Sequence, residues 1–110
     1  MALYDALRDA LAAGAADCLD MRRALLRQPG VTLQRTKARG RGRRRQRCDL
    51  IAYREPGGPR RLTYWVCVWS RKTWASDAAL TPQEAEARYR TWAEWPSWFR
   101  KPTLLREVEG

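Results

Sequence analysis

Histidine is missing from this chain altogether. Its absence excludes serine-histidine and cysteine-histidine hydrolases and any imidazole-based proton transfer, so catalysis would fall to carboxylates and lysine. Cysteine is scarce: Cys18, Cys48 and Cys67 are odd in number, lack CxxC spacing and have no histidine partner. Neither a zinc site nor a disulfide framework is supported, and free thiols in a reducing compartment are expected. No apolar run approaches the length that crosses a bilayer, so no membrane partner is expected. Asp5, Asp9, Asp17 and Asp20 near the start argue against a secretory or organelle-targeting segment, and a cytoplasmic protein is expected. At 110 residues the chain has room for one domain with one core and too little for two. The most informative absence is local: residues 35–47 contain no acid.

That segment carries Arg35, Lys37, Arg39, Arg41, Arg43, Arg44, Arg45 and Arg47. These eight bases supply most of the formal +10 that 22 basic and 12 acidic side chains give the chain. Packed together without acids they repel one another, which favours an anionic partner over a merely solvated loop. Seven of the eight are arginine, whose planar fork takes a phosphate at two points, and Gly40 and Gly42 would let the backbone approach one. The expectation is binding to nucleic acid, DNA ahead of RNA, through the phosphate backbone. Residues 37–46 would form a basic flexible loop, with Arg71 and Lys72 adding to the surface. The alternative partner is an acidic or nucleic-acid-binding surface of another protein, as for a small phage-type inhibitor or adaptor.

Tyr4, Leu7, Leu11, Gly14, Cys18, Met21 and Leu25 recur at alternating spacings of three and four, which predicts a helix over 2–28 ended by Pro29 and Gly30. The Ala12-Ala13-Gly14-Ala15-Ala16 run permits close packing or a break into two shorter helices. Val31 and Leu33 begin a strand over about 31–36. Stronger strands fall over about 47–54 and 61–69, joined by the turn Glu55-Pro56-Gly57-Gly58-Pro59-Arg60. A symmetric turn would pair 54 with 61 and set Leu50 opposite Trp65 and Cys48 opposite Cys67. Ile51, Tyr53, Tyr64, Val66 and Val68 would lie on the other face. A hairpin apolar on both faces must be covered on both sides. Thr81-Pro82-Gln83-Glu84 reads as a helix start with Thr81 as N-cap, leading a helix over 81–94 that turns Ala85, Tyr89 and Trp92 inward. A short strand over about 103–108 would complete a single α/β (α+β) domain of order αβββαβ, a mixed sheet with a central hairpin flanked by two helices.

That order resembles the common core of the PD-(D/E)xK nuclease superfamily, which includes restriction-endonuclease-like and Holliday-junction-resolvase-like proteins. The local text over roughly 48–89 is similar too. A basic stretch, Arg43-Arg44-Arg45-Gln46-Arg47-Cys48, leads into a strand opening with Asp49, and a turn then leads to the strand Thr63-Tyr64-Trp65-Val66-Cys67-Val68-Trp69. The resemblance implies that Asp49 matches the first metal-binding acid. It departs from the family at the next two positions, where Cys67 stands for the second acid and Trp69 for the lysine. One carboxylate beside a neutral thiol holds magnesium poorly, so the expectation is a nuclease-like domain without catalysis and without a cofactor. If the domain were an active nuclease, Mg2+ would be the cofactor, Asp49 and Lys72 would carry the chemistry, and Asp77 or Glu55 would supply a displaced acid. Otherwise Asp49 is a strand residue paired to one of the nearby arginines. A double-stranded-RNA-binding fold also runs helix, three strands, helix, but the second helix here lacks a basic start.

Six tryptophans are more than so small a core needs. Trp65 and Trp92 have core phases. Trp69, Trp74, Trp95 and Trp98 sit near element ends beside bases, a placement that suits stacking on unpaired bases, an interface anchor or ordinary edge-of-core packing.

Overall fold

The computed structural model describes residues 5, 7–9, 12, 14, 17–54, 57, 62–79 and 81–94. Asp5, Leu7, Arg8, Asp9 and Ala12 are helical, but Gly14 adopts φ 92° and Asp17 is extended, so the long stripe is broken into two helices. The break follows from Gly14, which alone in that run enters the left-handed region without a Cβ penalty. Helix α1 (Cys18–Leu26) then restarts on Asp17, whose carboxylate accepts from the Asp20 N–H at 2.9 Å. Its Met21 and Leu25 are buried.

Four strands follow: β1 (Val31–Arg39), β2 (Gln46–Tyr53), β3 (Thr63–Trp69) and β4 (Trp74–Ala79). They pair in sequence order, and every pairing is antiparallel. Among the described residues the sheet is therefore a meander and not mixed, and it includes a strand before the last described helix that the expected order lacked. Helix α2 (Pro82–Ala93) starts at Thr81, whose hydroxyl accepts from the Glu84 N–H at 3.1 Å, and buries Ala85, Tyr89 and Trp92 as its spacing predicts, together with Ala93. The strand expected over 103–108 lies outside the described residues.

β2 and β3 form the central hairpin, but one residue out of the expected register. Leu50 faces Val66, Ile51 faces Trp65, and Asp49 faces Cys67. Because side chains alternate, a slip of one exchanges which residues meet across the strands. On one face Cys48, Leu50, Ala52, Tyr64, Val66, Val68 and Ala75 pack against α2. On the other Ile51, Tyr53, Trp65, Cys67 and Trp69 pack against Leu7 and against Met21 and Leu25 of α1. The result is a single three-layer α+β domain with both sheet faces covered.

A bulge in β1 decides where the bases go. Leu33 pairs with Ile51, but Arg35 pairs with Leu50, leaving Gln34 as an extra residue. The inserted residue moves the odd-numbered positions from one face to the other. Val31 and Leu33 pack with the α1 cluster, whereas Arg35, Lys37 and Arg39 are carried to the α2 side, opposite Leu50, Cys48 and Gln46. Residues 37–39 are thus strand, and 42–44 form a 3-10 turn, in place of a flexible loop over 37–46.

Candidate nucleic-acid interface

The register brings two turns to one end of the sheet. Arg39 pairs with Gln46 where β1 turns into β2, Trp69 pairs with Trp74 where β3 turns into β4, and Arg47 pairs with Trp69 between them. The β1–β2 connection is closed on itself, with the Arg44 N–H donating to the Arg41 carbonyl at 3.0 Å and the Arg45 N–H to the Gly42 carbonyl at 3.2 Å. Gly40 makes this possible: at φ 78°, a Cβ there would lie 2.2 Å from the Arg44 carbonyl oxygen. Arg41, Arg43, Arg44 and Arg45 are exposed on this tip. None has a side-chain partner among the described residues.

The other four bases of the segment are engaged within the fold. Arg35 ion-pairs with Glu86 of α2 and lies over the Tyr89 ring, 5.2 Å from its centroid. Lys37 Nζ and an Arg39 guanidinium nitrogen approach the Ala93 carbonyl at 3.4 and 3.3 Å. That carbonyl ends α2, where the helix dipole is negative, so both cations offset the dipole and occupy a carbonyl the helix leaves open. Arg47 turns to the opposite face and donates to Thr36 Oγ1 at 3.4 Å.

Arg71 and Lys72 lie in the β3–β4 turn, at the same end as the arginine tip. The turn is fixed by Ser70 and Thr73, whose hydroxyls sit 2.8 Å apart, and by the Ser70 N–H donating to the Thr73 carbonyl at 2.8 Å. The Arg71 carbonyl accepts from the Cys18 N–H at 2.9 Å, and its guanidinium stands 3.9 Å from Asp17. Lys72 is exposed, with no partner among the described residues. Described acids also stand at this end: Asp17, which caps α1, Asp20 in the first turn of α1, and Glu94, which follows α2.

Asp49 is fully buried beneath α1. Arg22 binds it side-on, Nε to Oδ2 at 2.6 Å and a terminal nitrogen to Oδ1 at 3.1 Å, and the Thr36 hydroxyl donates to Oδ1 at 2.7 Å. Both carboxylate oxygens are occupied. Asp77 stands on the α2 side, opposite Val66 and 3.3 Å from Arg88, so the sheet separates it from Asp49. Glu55 lies outside the described residues. Among the described residues no three Cys, Asp or Glu side chains form a metal-holding group. The residues present do not fit a catalytic magnesium ion: the candidate carboxylate already carries a guanidinium, and its cross-strand neighbour is Cys67. Arg22 was not among the residues singled out from the sequence, although it lies four residues after Cys18 and three before Leu25, on the inward side of the helix.

Burial pushes the Cys67 thiol well above its ordinary range, with the Asp49 carboxylate adding to the effect. Burial likewise pushes Cys48 up to about 12, again with help from Asp49. Neither is a poised nucleophile. Trp69, expected among the stacking aromatics, has no exposed surface and stacks on half-buried Trp74 with centroids 5.8 Å apart. Its ring is therefore closed to an external base. Trp95 and Trp98 lie outside the described residues. Among those residues no helix is long and apolar enough to cross a membrane.

Comparison with protein-family models, with curated proteins and with solved structures finds no match for this chain. Its class is therefore defined by fold and site alone: a small α+β domain with a covered four-stranded meander and an arginine-bearing end.

Proposed function

We propose that the protein binds nucleic acid in the cytoplasm through phosphate contacts made by the β1–β2 tip, and that it does no chemistry on its ligand. The observation that carries this reading is the division of labour in the basic segment. Arg35, Lys37 and Arg39 neutralise features of the fold and Arg47 is held by the Thr36 hydroxyl, whereas Arg41, Arg43, Arg44 and Arg45 remain exposed without a described partner. Lys37 and Arg39 offset the negative pole of α2 at the same end, so the tip's field is not cancelled by the helix beneath it. Arginine forks on a tight turn suit the oxygens of a polyanion backbone and carry no sequence readout by themselves. A nuclease-like ancestry stays compatible with the order of the first elements, but the Arg22–Asp49 pair occupies the carboxylate that cleavage would require.

A mobility-shift titration tests the reading. The wild-type protein should retard nucleic acid, and a variant with Arg41, Arg43, Arg44 and Arg45 changed to Gln should lose the shift while keeping its circular-dichroism spectrum. The probe should stay intact with magnesium or manganese present. A tip variant that binds as well as wild type would reject the proposal. Binding to an acidic protein surface is the second reading, because the same exposed guanidiniums would meet carboxylates. It would be favoured by capture of a protein partner from nuclease-treated lysate together with no shift of any nucleic acid.

A further inference from the structure

Two cationic turns, not one, stand at the same end of the sheet, and their separation is set by strand geometry. The tip bridges the first and second strands and the Ser70–Thr73 connection bridges the third and fourth. Neighbouring strands lie about 4.8 Å apart, so the centres of the two turns are about 10 Å apart. Gln46, Arg47 and Ser70 form the half-buried floor between them. The major groove of duplex DNA is about 12 Å wide between its phosphate rows, whereas that of an A-form RNA duplex is deep and narrow. Neither turn contains an aromatic residue, and Trp74 beside the second is half-buried with its ring stacked on Trp69, whereas sequence-tolerant single-strand binders gain much of their affinity from open aromatic faces.

We infer that the ligand is double-stranded DNA, held end-on with the arginine tip on one phosphate row and Arg71 and Lys72 on the row across the groove. This rests on the phosphate-binding reading above and names its substrate class. Arg71 reaches its row by leaving a long, half-exposed ion pair with Asp17. Lys72 is exposed and has no partner to leave among the described residues.

The test compares a duplex DNA, one of its single strands, and a duplex RNA of the same sequence, each titrated at several salt concentrations. The proteins are wild type, Lys72→Gln and Arg71→Gln/Lys72→Gln. Lys72→Gln changes an exposed side chain without a described partner, so loss of folding does not confuse the result. Duplex DNA should bind tightest, and the turn variants should flatten its log–log salt dependence by about 0.9 for each phosphate no longer neutralised. Equal or tighter binding of the single strand or of duplex RNA would overturn the groove-spanning arrangement while leaving phosphate binding in place, as would turn variants indistinguishable from wild type on duplex DNA. No binding to any of the three probes would overturn both this inference and the function on which it rests.

Discussion

The two halves of the basic segment are nearly alike as text and opposite in use. Arg35, Lys37 and Arg39 ride on a strand, meet α2, and find a carboxylate, an aromatic face and the carbonyl that ends the helix. Arg41, Arg43, Arg44 and Arg45 follow within a few residues, but Gly40 and Gly42 turn the chain beyond the sheet, where no described group meets them. Formal charge in a sequence is thus not charge available to a ligand. A cation drawn into the fold contributes stability and little to binding, and a cation left outside does the reverse.

The largest effect should come from an inward cation. Changing Arg22 to Met leaves the Asp49 carboxylate buried with only Thr36 beside it, and should lower unfolding free energy by about 3–5 kcal/mol, read from urea denaturation midpoints. A drop under about 1 kcal/mol would mean that the pair is not the buried bridge described here. Replacing Arg22 and Asp49 together by Met and Leu should recover most of that stability, since the unpaired charge disappears with its partner.

Alkaline pH gives the next effect. The Cys48 and Cys67 thiols are raised in the folded state, so above the ordinary thiol range the folded protein holds more protons than the unfolded chain. Their contribution is complete below about 9 and is lost as pH rises, for Cys48 through about 12. Each thiol should steepen the decline by about 1.4 kcal/mol per pH unit in that window, and Cys48→Ala should remove its share. A decline that is the same in Cys48→Ala would contradict the assigned cause.

Smaller still are the helix-end cations. Lys37→Gln and Arg39→Gln should each cost about 0.3–1 kcal/mol through the end of α2, detectable as a drop in Tm. The tip arginines should cost nothing measurable in stability, within about 0.5 kcal/mol even when all four become Gln. If the tip variant melted earlier than the Lys37/Arg39 pair, the division between inward and outward cations would be reversed.

Much of this fold was legible in the residues. Thr81 and Pro82 mark the start of α2, the three-four spacing selects Ala85, Tyr89 and Trp92 for its inward side, and the doubly apolar β2–β3 hairpin demanded a cover on each face. The bulge at Gln34 was not legible, because Val31, Leu33, Arg35, Lys37 and Arg39 keep an unbroken alternation that hides the exchange of faces. β4 escaped notice because its middle is Ala-Ser-Asp-Ala, whose small side chains give no hydrophobic period, and it is ordered by pairing with β3. The register differs by one residue from that of a symmetric turn because the cross-strand pairs set the alignment. At the site, the exposed tip was visible as composition, and Asp49 was readable as paired to an arginine, but to one of those near it in the chain. The particular arginine lies on α1, 27 residues away, and only its helical phase pointed inward.

The most direct measurement is the salt dependence of duplex DNA binding for three proteins: wild type, the variant with Arg41, Arg43, Arg44 and Arg45 changed to Gln, and the variant with Arg35, Lys37 and Arg39 changed to Gln. The tip variant should lose about 3–4 units of log–log slope, and the inward variant should stay within about one unit of wild type. Equal decreases in the two variants, or a tip variant with the wild-type slope, would contradict the claim that the fold consumes one half of the segment and presents the other.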